Sequence, residues 1–181
     1  MADTDGPLDE GARRADRFYG AFLIALALAS AVAPFFAAAT LAWTLLLAGV
    51  IGATWLWLDR SPRGFMAAIG WTIVALGLGL HLVFHVFLNV IPLGLVLGLG
   101  FVILGLAEIV FGVERYSHSV GARIALVVGG GAAVAFGLAA FFVLPAMPPW
   151  AGGVTMGLMF AAFGVALELG AARRRAKLQA G

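Results

Sequence analysis

Four ionisable side chains stand inside long apolar stretches of the chain: His81, His85, Glu108 and Glu168. Ionisable groups at such places are expensive to bury in hydrocarbon and are functional candidates by default. His81, His85 and Asn89 follow one another at intervals of four, which puts them on one face of a helix. Two imidazoles one turn apart suit a shared metal ion or a haem-side pair completed by another helix. They suit a protonation switch equally well, since histidine titrates near neutral pH. The plainer alternative is that both rings pack on neighbouring helices and bond backbone carbonyls or interfacial water. Neither a carboxylate nor a third histidine lies at comparable depth, so no metal and no cofactor are expected. His118 falls in a loop on the other side. Glu108 and Glu168 read either as two protonatable carboxylates at the inner end of a helical bundle, or as helix-end groups. In the second case they snorkel or pair with an arginine such as Arg63, Arg115, Arg123 or Arg173. All four are candidate proton-responsive residues, and no catalytic residue is expected.

The elements that must hold these groups follow from composition. Of 181 residues, 63% are hydrophobic, 25 are glycine and only 11% are charged, against roughly 25% charged in a soluble domain. One soluble core of this size could not hide so much apolar surface, and the chain is too hydrophobic to stay disordered. The absence of cysteine rules out a disulfide scaffold, a thiolate zinc site and a cysteine nucleophile. A net charge of +2, dispersed along the chain, does not point to nucleic acid. Gly129-Gly130-Gly131 has no flanking charge and sits mid-helix, which excludes a phosphate loop. A polytopic membrane protein in contact with the lipid bilayer remains.

All of the 20 charges except Glu108 and Glu168 fall in tails, in short connections or, with Arg123, at the start of a span. Between them lie apolar blocks at 18–58, 64–113 and 120–172. A helix rises 1.5 Å per residue and the hydrocarbon core is about 30 Å thick, so each block is long enough for two crossings. Prolines mark the turns: Pro34, Pro92 after Asn89, and the group Pro145, Pro148 and Pro149. The expected spans are 18–33, 37–58, 64–88, 93–113, 120–144 and 150–172. The fold class is therefore all-α integral membrane, six transmembrane helices arranged as three tandem hairpins. Residues 1–17 form an N-terminal tail and 173–181 a basic C-terminal tail. All 11 basic residues then face one side, so the positive-inside rule puts both termini in the cytoplasm. No signal peptide is expected, because the first 17 residues mix both charge signs and no cleavage site follows. Rise along the helix places Glu108 and Glu168 about 20–27 Å from the outer face, and the histidines about 10 Å or more further out. Trp55, Trp57 and Trp150 fall at helix ends, as interfacial rings do. Trp43 and Trp71 lie deeper and read as packing residues.

The even spans share a spacing of small residues. Ala38, Ala42 and Gly49 match Gly94, Gly98 and Gly105, which match Gly153, Gly157 and Gly164. Small residues at this spacing let backbones approach closely where lipid gives helices no hydrophobic reason to associate. A proline ends each odd span, and each even span holds a glycine followed by an aliphatic residue: Gly49-Val50, Gly105-Leu106 and Gly164-Val165. With six spans in a short chain, and loose aromatic starts at Arg17-Phe18-Tyr19 and Gly70-Trp71, residues 17–172 resemble the HdeD family of bacterial inner-membrane proteins. That resemblance implies a non-enzymatic, acid-resistance or stress-related protein with no catalytic residues, acting through helix packing with itself or a membrane partner. Two other classes compete with it. One is a small proton-linked transporter or channel using Glu108 and Glu168, against which stands the lack of a strongly polar helix face or a broken helix. The other is a haem- or metal-binding membrane subunit using His81 and His85.

Overall fold

The apolar blocks break where the prolines fall. The computed structural model describes residues 7–32, 38–58, 64–88, 93–143 and 150–179, and it is helical nearly throughout. The helices are α1 (Pro7–Val32), α2 (Ala38–Leu58), α3 (Phe65–Leu88), α4 (Leu93–Arg115), α5 (Val120–Val143) and α6 (Trp150–Gln179). The proline turns themselves lie outside the described residues. Most boundaries fall within two residues of those expected. The exceptions are the outer ends of the first and last helices: α1 starts at Pro7, inside the expected tail, and α6 continues through the basic segment to Gln179. Five helices are long and apolar enough to cross a membrane; in α2 the stretch that qualifies among the described residues, Ala42–Leu58, is shorter.

The helices form a closed ring in chain order, with α6 returning to α1. The most extensive packing is not within the three sequence hairpins. Each even helix packs most heavily on the odd helix that follows it: α2 on α3, α4 on α5, and α6 on α1. The small residues explain this preference. A Cβ added at Gly49, Gly105 or Gly164 would stand 3.0, 2.9 and 3.2 Å from the backbone nitrogens of Leu76, Val134 and Ile24. The carbonyls of Gly130 and Gly20 press on Gly105 and Gly164 in the same way, and Thr72 takes the equivalent place on α3. Two turns further on, an added Cβ would stand 2.9 Å from Gly137 O at Gly98, 3.0 Å from Ala27 O at Gly157 and 3.1 Å from Ala42 O at Gly79. The motif of the even helices is thus answered by one in the odd helices: Gly20/Ala27, Thr72/Gly79 and Gly130/Gly137. The result is a ring with approximate three-fold repetition. Of the other residues in the even-helix motif, Gly153 is buried and Gly94 half-buried, while the side chain of Ala38 lies outside the described residues.

The axis of the ring is filled. Tyr19, Trp71, Phe101, Phe111, Phe160 and Phe163 are all at most 2% exposed. Phe163 is the hub, with ring centroids 4.9 Å from Phe111, 5.3 Å from Trp71 and 6.3 Å from both Tyr19 and Trp55. Such pairs add about 0.5–1.5 kcal/mol each beyond the area they bury. The outside is aliphatic: Leu28, Val50, Ile73, Leu99, Leu106, Val128, Leu138 and Leu158 are all exposed. An apolar surface this continuous suits lipid rather than water.

Trp57 and Trp150 are exposed at helix ends as expected. Trp43 is not a packing residue; it is 56% exposed and faces outward from α2. Trp55 is not interfacial. It is buried, because an acidic group on α1 takes its indole N–H.

Candidate functional site

Helix α4 turns Glu108 inward, and the carboxyl ends up against α5 and α6. The residue has no exposed surface, and neither carboxylate oxygen has a hydrogen-bond partner among the described residues. Snorkelling is therefore not what happens here: the side chain runs into the protein rather than toward a headgroup, because its azimuth on α4 faces the interior. Room for it comes from Gly129. A Cβ at that position would stand 2.8 Å from Glu108 Oε1 and 2.5 Å from the Cβ of Ala162. The equivalent places on α1 and α3 are held by Tyr19 and Trp71, whose rings fill the interior. On α5 there is no ring, and the glutamate takes up the space. On the outer side of Gly129, between α5 and α6, lies a cleft of about 430 Å³ lined by Ala125, Val128, Leu158, Ala162 and Val165 with Gly129 itself.

A second polar cluster caps the charged end of the ring. Asp16, on α1, is 1% exposed. It accepts a 2.8 Å bond from Trp55 Nε1 and faces Arg115 Nη2 at 3.4 Å, with the arginine side chain 5% exposed. The guanidinium also lies 5.5 Å from the ring centroids of both Trp55 and Phe111. Tyr19 completes the wall, stacked on Trp55 at 5.3 Å and donating to Ala48 O at 3.1 Å. Sequence reasoning placed Asp16 in a solvated tail and Arg115 in a loop, and so missed this pair. The signal was present: Asp16, Tyr19, Leu23, Leu26 and Ser30 recur every three or four residues, and all are buried.

Glu168 behaves as a helix-end group, but with a partner other than those expected. It faces Arg17 at 3.8 Å, and the two side chains are 36% and 50% exposed. Of the arginines named for it, Arg115 faces Asp16 and Arg173 donates to His118 O at 2.6 Å. The latter bond ties α6 to the tight turn between α4 and α5, where Ser119 N bonds Tyr116 O. Arg63 lies outside the described residues. Glu108 and Glu168 are not brought together: one carboxyl lies among α4, α5 and α6, the other on the α1–α6 side beside Gly20. His81 is half-buried on α3, whereas the side chain of His85 and the whole of Asn89 lie outside the described residues. Among the described residues no three His, Cys, Asp or Glu side chains gather in a way that could hold a metal ion.

Compared with protein-family models, with curated proteins and with solved structures, the chain finds no match.

Proposed function

We propose that the chain is a non-enzymatic, six-span protein of the bacterial inner membrane, both termini cytoplasmic, resembling the HdeD family and serving survival under acid or similar stress. It acts through helix packing, with itself or with a membrane partner. The observation that supports this reading best is the closed ring: its outside is aliphatic on every helix, its axis is packed with aromatic side chains, and its ion pairs gather at one end. Such an interior favours a structural or scaffolding part over passage of a solute along the axis. Helix α2, with 21 residues, rises about 30 Å and is long enough to be the sixth span. The orientation rests on the 11 basic residues, all of which the six-span reading puts on one side.

The native chain has no cysteine, so single cysteines test the topology directly. In spheroplasts, Ala146→Cys should react with a membrane-impermeant maleimide at once, while His118→Cys should react only after lysis. The reverse pattern inverts the orientation, and labelling of both before lysis removes the six-span reading. The stress role is tested separately: deletion should lower survival of an acid challenge. Full survival of the deletion strain would leave only the architectural part of the proposal.

A further inference from the structure

We propose that the cleft between α5 and α6 is a binding site for a long-chain alkylamine carried in the bilayer, its ammonium group paired with Glu108 and its tail lying along the cleft. The inference rests on the chain spanning a membrane, as proposed above, and on nothing else in that reading.

Glu108 is a fully buried carboxyl, and neither oxygen has a hydrogen-bond partner among the described residues. A buried polar group left in this state is costly, and an ionised one far more so, unless a donor or a cation meets it. The cation on its own helix two turns on, Arg115, faces Asp16. Between them on the same face stands Phe111, fully buried and stacked on Phe163. Approach from the charged end is thus through packed aromatic rings. From the lipid side the barrier is thinner: Gly129 and the Cβ of Ala162, both part of the cleft wall, stand between the cleft and the carboxyl. No larger side chain stands between them, so a small outward shift of α6 would open the carboxyl to the cleft.

The cleft selects the rest of the ligand. Its walls are alanine, valine, leucine, isoleucine and glycine, and its volume of about 430 Å³ opens broadly toward the outside of the ring. An apolar chain fits such walls, and a head with N–H donors and a positive charge satisfies the two carboxylate oxygens. Glu108 lies seven residues before the end of α4 at Arg115, about 10 Å along the helix axis. That depth favours a single-chain amine over a phospholipid whose amine sits beyond its phosphate.

The test uses the full chain in membrane vesicles and dicyclohexylcarbodiimide, a lipophilic reagent for carboxyl groups. The carboxyl proton passes to one carbodiimide nitrogen while the carboxylate oxygen bonds the central carbon. The acyl group then migrates from oxygen to nitrogen, leaving a stable N-acylurea with no leaving group, so the protein gains the whole reagent mass. Peptide mass spectrometry should locate that mass on Glu108, and Glu108→Gln should not acquire it there. N,N-dimethyldodecylamine, which cannot itself be acylated to an amide, should slow labelling about tenfold or more. Ala125→Phe, which fills the cleft from its half-buried wall, should slow it similarly. Slowing in phosphatidylethanolamine vesicles without added amine would identify an aminolipid as the source, and an unchanged rate there a free alkylamine. An unlabelled Glu108, or a labelling rate in the native chain that the amine leaves unaltered, overturns the proposal. Failure of the membrane reading would be seen independently, in the maleimide pattern.

Discussion

Asp16→Ala is expected to lower the stability of the folded protein by about 3–5 kcal/mol, the usual effect of removing one partner from a buried ion pair. The side chains of Asp16 and Arg115 are 1% and 5% exposed, so neither charge has water to fall back on. Alanine leaves the guanidinium with its aromatic neighbours Trp55 and Phe111 but without its carboxylate. It also orphans the indole N–H of Trp55, an additional loss of about 1–3 kcal/mol where the group stays dry. These contributions overlap and do not add. Replacing both partners, as Asp16→Leu with Arg115→Met, should restore much of the loss, because an apolar pair of similar volume avoids the desolvation of two ions. The measurement is the denaturation midpoint of purified protein in detergent, followed by tryptophan fluorescence. A loss below about 1 kcal/mol for Asp16→Ala, the scale of an exposed pair, would show that water reaches the cluster.

The second large effect concerns the helix contacts. Gly105→Leu is expected to destabilise by about 3 kcal/mol. Its Cβ would press on the carbonyl of Gly130 and stand 2.9 Å from the nitrogen of Val134. Both are backbone atoms and cannot rotate away, so α4 and α5 must separate, and close approach is what holds such helices together in lipid. Gly131→Ala is the contrasting case. Nothing lies within 4 Å of a Cβ there. Alanine should then stabilise by about 0.5–1 kcal/mol, through its helix preference over glycine. The same detergent unfolding series reads both. Equal effects of the two substitutions would mean that glycine matters here only as a flexible residue.

These two glycines also mark what the sequence could reveal. Apolar block lengths and charge positions determine where most helices begin and end, because a membrane allows so few arrangements; the start of α1 and the end of α6, which run on into the charged segments, were not readable in this way. The small-residue motif of Gly98 and Gly105 announces a face that packs closely, but it does not name the neighbour. That neighbour is the first helix of the next hairpin, since Gly130 and Gly137 offer the matching gaps. Glu108 shows the same limit in another form. Helical rise gives its depth but not its direction around the axis, and direction separates a snorkelling side chain from a buried one. Asp16 was hidden by its company: with Arg13, Arg14 and Arg17 around it, the segment reads as a solvated tail, although the periodicity of the residues after it continues back through it.

The seal between α6 and α1 bears on how the protein is made. A ribosome delivers α1 five helices before α6, yet Gly20 and Ala27 are shaped for Gly164 and Gly157. During synthesis α2 with α3, and α4 with α5, can dock as soon as each second helix enters the bilayer. The binding face of α1 has no such early mate. It must stay uncovered through four further insertions, and Asp16, which Trp55 of α2 can already meet, gains Arg115 only when α4 arrives. The face of α1 that waits longest is thus the one α6 covers, and the nascent chain is most exposed to misassembly and proteolysis until α6 enters the bilayer.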